Sequence, residues 1–196
     1  VQQLLGMLFG IYLARTLNAE DYGLVGMLAI FSGIASTIIN SGFSVALTNK
    51  LDATHKDYNA VFWFSFVVSI CLYIVLFFSA PLIASFYDRQ ELVNLSRVIF
   101  ASFLFSGMAI VPHVILFKQL QVKMQAKIDV FALFLSGMCG VLLAFNGFAY
   151  WALAIQSTVY VASASLLKWM VVSWRPSLDF SIEPLKEMFP FSVKSV

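Results

Sequence analysis

Few residues in this chain can do chemistry, and most of them border or interrupt long apolar runs. Arg15 closes the first run, residues 1–14, and Arg97 stands just before another, 98–117. A guanidinium pairs bidentately with a phosphate or a carboxylate. At the edge of an apolar run it also snorkels to lipid headgroups, and Arg15 has Glu20 and Asp21 within reach as partners. His113 follows Pro112 inside a run. Its imidazole titrates near neutral pH and can carry a proton, or it can be a hydrogen-bonded packing group. Gln156 lies mid-run, where an amide is expensive in hydrocarbon unless it bonds a neighbouring helix or lines a polar cavity. Asn40 poses the same choice nearer the end of its run. His55 lies in a polar stretch and needs no functional role. Cys71 and Cys139 sit inside apolar runs, where a free thiol packs as a small apolar group. The sequence has no CxxC, no His/Cys cluster and no acidic cluster, so metal, redox and cofactor chemistry have no ligand set in it.

The elements that must position these residues are set by composition. The chain is 61% hydrophobic and 11% charged, with a mean hydropathy of +0.89. Soluble domains are about 45–50% apolar and about 25% charged. This chain cannot coat a water-facing surface, and an all-α, polytopic membrane protein follows. A β-barrel would need alternating apolar and polar positions, which these runs lack. A net charge of +2 is too small to argue for nucleic acid.

A span needs about 20 helical residues. Measured against that, the uncharged runs predict six spans. Residues 1–14 form a short first helix, whose Gly6, Gly10 and Ala14 make a small-residue stripe suited to close helix contact. Residues 22–49 form the second, with Asn40-Ser-Gly-Phe able to break or bend it. Residues 58–87 form the third, with Pro81 marking its exit, and 98–117 the fourth, kinked at Pro112. Residues 118–129 read as a basic loop. The 38-residue run 130–167 is too long for one helix and is divided by Asn146-Gly147 into the fifth and sixth. This gives a six-helix lobe over 1–174. Residues 175–196 read as a polar linker in which Leu185, Met188 and Phe189 share the face of an interfacial helix, followed by the start of a seventh span. A chain that opens inside an apolar run and stops as another begins reads as a piece of a longer protein. No basic n-region or cleavage motif marks a signal peptide.

Alternating spans place Lys50, Lys56, Lys118, Lys123, Lys127, Lys168, Arg175, Lys186 and Lys194 on one side, and Arg15, Arg89 and Arg97 on the other. The positive-inside rule puts the first set in the cytoplasm. Tyr22, Tyr87, Tyr150, Trp151, Trp169 and Trp174 fall near span ends, as an interfacial belt requires.

The opening hairpin carries a family resemblance. Tyr12-Leu-Ala-Arg-Thr-Leu, Asn18-Ala-Glu-Asp-Tyr-Gly, Gly26-Met-Leu-Ala-Ile-Phe and Asn40-Ser-Gly-Phe resemble the first two helices of bacterial polysaccharide transporters. These are the Wzx-like repeat-unit flippases of the multidrug/oligosaccharidyl-lipid/polysaccharide exporter superfamily. The pattern is most like the branch that exports colanic or teichuronic acid units. The residue match is sharpest over 4–50, while the helix rhythm covers the whole chain. Asn40 departs from the pattern, since relatives often carry Asp there, and an ion-coupling carboxylate has no support at that position.

The resemblance implies the N-terminal lobe of a two-lobe exporter in the bacterial inner membrane, without enzymatic activity or cofactor. It implies a substrate in which an oligosaccharide is joined to polyprenyl pyrophosphate, for lipopolysaccharide, capsule or exopolysaccharide. Its partners would be membrane lipids, a polysaccharide polymerase and glycosyltransferases. A polar head cannot cross hydrocarbon unaided, because each unsatisfied polar group costs several kcal/mol. A hydrated cavity between rocking lobes would solve this. The residues of this chain that such a cavity would draw on are Arg15, Asn40, Arg97, His113 and Gln156. Lys118, Lys127 and Lys168, at helix ends, read as topogenic or headgroup-binding. A rival reading is a cation-coupled multidrug or lipid II exporter, which calls for buried carboxylates or clustered arginines. No acidic residue lies in the central part of a predicted span. A membrane-embedded sugar or acyl transferase needs a general base or metal site that this sequence does not assemble. A scaffold protein would tolerate loss of Arg15 and Arg97.

Overall fold

The computed structural model describes residues 2–39, 43–50 and 52–177. Among them every regular element is an α-helix: α1 (Gln2–Thr16), α2 (Ala19–Ile39), α3 (Phe43–Asn49), α4 (His55–Phe86), α5 (Leu92–Lys118), α6 (Val122–Phe145) and α7 (Ala149–Val171). α2, α4, α5 and α6 are each long and apolar enough to cross a membrane. The chain is a polytopic, all-α membrane protein.

The expected break or bend at Asn40-Ser-Gly-Phe falls on residues 40–42, which lie outside the described residues. One other break falls where the residues predict. The run 130–167 divides at Asn146-Gly147, where Gly147 takes a φ of +80° that other residues adopt with strain. The expected interfacial helix around Leu185, Met188 and Phe189 also lies outside the described residues.

Other expectations are corrected. Pro81 does not end its helix; it sits on the exposed surface of α4, which runs on to Phe86. Leaving the helix in hydrocarbon would orphan several backbone groups, whereas a proline removes one donor. The chain reverses instead at Asp88, whose φ is +53°. Residues 118–129 are not a loop. Only 119–121 turn, and α6 starts at Val122, because 122–129 hold no Gly or Pro and lysine is a good helix former. α5 begins at Leu92, so Arg97 lies inside a helix rather than before one. The Gly6/Gly10/Ala14 stripe is not the tight seam: Gly10 and Ala14 are exposed, and a Cβ on Gly10 would meet nothing. The close seams lie elsewhere. A Cβ on Gly107 of α5 would strike Ser69 of α4, and one on Gly137 of α6 would strike the Phe9 ring of α1.

α4 and α5 form one antiparallel hairpin and α6 and α7 another, joined through packing of α5 on α7. Gly6 faces Leu133 and Phe9 faces Gly137, so α1 runs parallel to α6. α2 lies against α4, α5 and α7, and α3 against α4 and α5. The core where they meet is aliphatic and aromatic, with Leu28, Leu47, Leu92, Leu95, Phe100, Val111 and Leu116 fully enclosed. In a bilayer this packing is held by dispersion and close fit more than by exclusion of water. Several hydroxyls inside the helices bond back along their own helix, as Ser69 does to the Ser65 carbonyl at 2.8 Å, which satisfies them without water.

Polar contacts gather at the two ends. At one, Arg89 pairs with Glu20 at 2.6 Å, and Asp21 accepts from the Asn18 N–H to open α2. At the other, Asp57 accepts from Lys50 at 2.8 Å and from the Thr54 N–H at 2.7 Å, capping α4. Lys118 donates there to the Leu47 and Lys50 carbonyls, at 3.1 and 2.5 Å, and so closes the C-terminal end of α3.

Candidate functional site

A cleft of about 260 Å³ opens between α5, α6 and α7, with Ser44 of α3 at its edge. α5 supplies Ser106 and His113, α6 supplies Asp129, and α7 supplies Tyr160, Ser165 and Lys168. It lies toward the end marked by Lys50 and Lys118: His113 is five residues before Lys118, about 7.5 Å of helix rise.

Three local devices hold these side chains. Pro112 has no N–H, so the Met108 carbonyl one turn earlier loses its helical donor. The Trp169 indole of α7 fills that place at 3.0 Å, beside Lys168. About three turns deeper, the Thr158 hydroxyl reaches across to the Val98 carbonyl at 3.3 Å. Both bonds fix α7 in register with α5. The Gln125 amide nitrogen of α6 lies 2.9 Å from His113 Nδ1. With the amide as donor, Nδ1 accepts and the ring proton sits on Nε2.

After α7 the chain continues as an extended strap from Val172 to Ser177, fastened across the start of α4. Ser177 is held at both backbone groups: its N–H donates to Asn59 Oδ1 at 2.9 Å, and its carbonyl accepts from the Trp63 indole at 2.8 Å. The Trp174 indole donates to His55 Nδ1 at 3.0 Å, and its ring packs against Phe62 and Trp169. Arg175 lies over Trp169 and donates to the Val172 carbonyl. His55, expected to be an idle loop residue, is one of the fastenings.

Of the candidate cavity residues that are described, Arg15, Arg97, His113 and Gln156, the cleft gathers His113; Asn40 lies outside the described residues. Arg15 is exposed at the end of α1, and Glu20 pairs with Arg89 rather than with it. Arg97 stands over the Phe77 ring of α4 at 4.3 Å. Its Nε is buried without a hydrogen-bond partner among the described residues. Gln156 lies across Gly140 in the α6–α7 seam, where a Cβ on the glycine would come within 3.1 Å of it. Sequence reasoning missed Asp129, Tyr160 and Lys168 as cleft residues. The three lysines before Asp129 made its stretch look like surface, and Lys168 looked like a helix-end anchor. The signal available was the helical character of 122–129, which carries Asp129 one further turn into the bundle.

Comparison with known proteins adds the decisive observation: residues 12–196 match the family described as polysaccharide biosynthesis protein. The chain belongs to the polysaccharide biosynthesis protein family. Among relatives of this polysaccharide biosynthesis protein, the teichuronic acid biosynthesis protein TuaB of Bacillus subtilis (strain 168) is 30% identical over 80% of this chain and 33% of its own length. The lipopolysaccharide biosynthesis protein WzxC of Escherichia coli (strain K12) is 20% identical over 91% of this chain and 37% of its own. The succinoglycan biosynthesis transport protein ExoT of Rhizobium meliloti (strain 1021) is 23% identical over 92% of this chain and 36% of its own. The chain therefore spans about a third of the length of the curated relatives it matches. No solved structure matches it. The membership agrees with the resemblance read from the opening hairpin.

Proposed function

We propose that this chain is the N-terminal part of a flippase that moves polyprenyl-pyrophosphate-linked oligosaccharide units across the bacterial inner membrane for surface polysaccharide synthesis. In this reading residues 1–174 form a six-span lobe, α1 and α7 crossing with the four longer apolar helices, and 175–196 lead toward a second lobe and its first span. The basic end faces the cytoplasm, where the substrate is made. No bond in the substrate is broken, so the protein acts as a transporter and not an enzyme. Its partners are the lipid-linked oligosaccharide, bilayer lipids, and the polymerase and glycosyltransferases that work on either side.

The observation that carries this reading is a cleft holding Lys168 and His113 at the basic end of an otherwise apolar bundle, in a member of this family. Lys168 supplies a point charge for a pyrophosphate, and His113, Ser106, Ser165 and Tyr160 supply hydrogen-bonding groups for phosphate or sugar oxygens. Alternating access would carry the head across while the lipid tail stays in the bilayer. Arg15, Asn40, Arg97 and Gln156 remain proposed cavity residues, reached in other states or through the second lobe.

Deletion of the full gene tests the reading. Lipid-linked repeat units should accumulate on the cytoplasmic leaflet and surface polymer should disappear. Unchanged surface polymer in a strain without a second such gene would refute it.

A further inference from the structure

We propose that Asp129 is an internal counter-ion that weakens the hold of Lys168 on the substrate's anionic head, and thereby sets how readily the head is released. The inference rests on the functional reading above and concerns the same cleft.

Asp129 stands on α6 and Lys168 on α7, and both line one cleft. The Asp129 carboxylate is the acidic group among the described lining residues, in the same cleft as the Lys168 ammonium and the His113 imidazole. Among the described residues no direct ion pair joins Asp129 to Lys168. A direct pair would occupy the ammonium and close the cleft to anions. A carboxylate too distant to bond, yet near enough to be felt, leaves the ammonium free to bind while lowering the positive potential around it. A cleft with Lys168 and His113 alone would hold a multiply charged pyrophosphate strongly. A site on a transport path must bind well enough to load and weakly enough to unload. His113 is held by Gln125, so the opposing charge in this cleft comes from Asp129.

The test uses the full-length protein in detergent, with inorganic pyrophosphate as the probe. Binding is measured for wild type, Asp129→Asn, Asp129→Glu, Lys168→Gln and the double variant Asp129→Asn/Lys168→Gln, each checked for unchanged thermal unfolding. Asp129→Asn should bind at least about tenfold more tightly, equivalent to ~1.4 kcal/mol, and export surface polymer more slowly in cells. Asp129→Glu, which keeps the charge, should stay near wild type and shows whether the site tolerates substitution. The double variant should bind no better than Lys168→Gln. Unchanged or weaker binding by Asp129→Asn overturns the counter-ion role, as does tight binding that survives loss of Lys168. Failure of every variant to bind pyrophosphate also overturns it. Export in the deletion strain is read separately, so the functional reading stands or falls on its own.

Discussion

The indole N–H of Trp169 in α7 donates to the carbonyl of Met108 in α5 at 3.0 Å, and that carbonyl is the one Pro112 leaves without a helical donor. A defect in one helix is thus repaired by the next, one residue from Lys168 and one turn from His113. The proline and the tryptophan act as a pair that fixes the depth of α7 against α5.

That pairing predicts coupling. Trp169→Phe keeps the ring and removes the donor, and should destabilise the bundle by about 0.6–1.7 kcal/mol, the range of interhelical hydrogen bonds in membranes. Pro112→Ala restores the N–H that Met108 lacks, so the same tryptophan change should cost much less in that background. A double-mutant cycle on the purified protein reads the difference, and additive losses would refute the pairing.

Two glycines should behave oppositely. Gly107→Ala forces a methyl into Ser69 at the α4–α5 seam and should destabilise by about 1–3 kcal/mol. Gly10→Ala meets nothing within contact range and should leave thermal unfolding unchanged. Equal effects at the two sites would contradict the seam described.

Gln125→Leu removes the donor that sets the His113 tautomer. Export should fall while expression and unfolding temperature hold, and Gln125→Asn should not recover it, because its shorter side chain falls short of the ring. Normal export by Gln125→Leu would remove His113 orientation from the account.

The strap gives a labelling prediction. Ser177→Cys in the full-length protein should react slowly with a polar maleimide, since both backbone groups of residue 177 are tied to α4. Adding Trp174→Ala removes the indole bond to His55 and the ring packing that hold the segment, and labelling should speed up at least about fivefold, the response to losing ~1 kcal/mol of closure. The reagent should reach this site, like a cysteine at Lys123, from the cytoplasm, and one at Arg89 from outside. The reverse pattern would invert the orientation.

Much of the architecture is written in composition and local pattern. Long runs without charge can only be helices in lipid, because every backbone group must be satisfied within its own segment. The break at Asn146-Gly147 was readable because turn residues interrupt a run too long for one helix. Pro81 and the stretch 118–129 misled because each carries a signal that is reliable in water. In a membrane helix, the cost of exposing backbone outweighs a single proline, and lysines near the boundary extend to the headgroups without ending the helix.

The sequence by itself determined that this is a polytopic helical membrane protein, which of its ends is basic, and which family its first hairpin resembles. These depend on residue type and on spacing within one segment. Only the tertiary structure decided that His113, Asp129 and Lys168 share a cleft, that Trp169 supplies the donor missing at Pro112 within α5, and that the close seams run through Gly107 and Gly137. Those relationships join helices distant along the chain, and they depend on the rotation and depth at which each helix packs. In lipid that choice is made by shape fit and a few polar bonds rather than by an apolar face seeking cover, so a run that is apolar all round leaves no periodic trace of it.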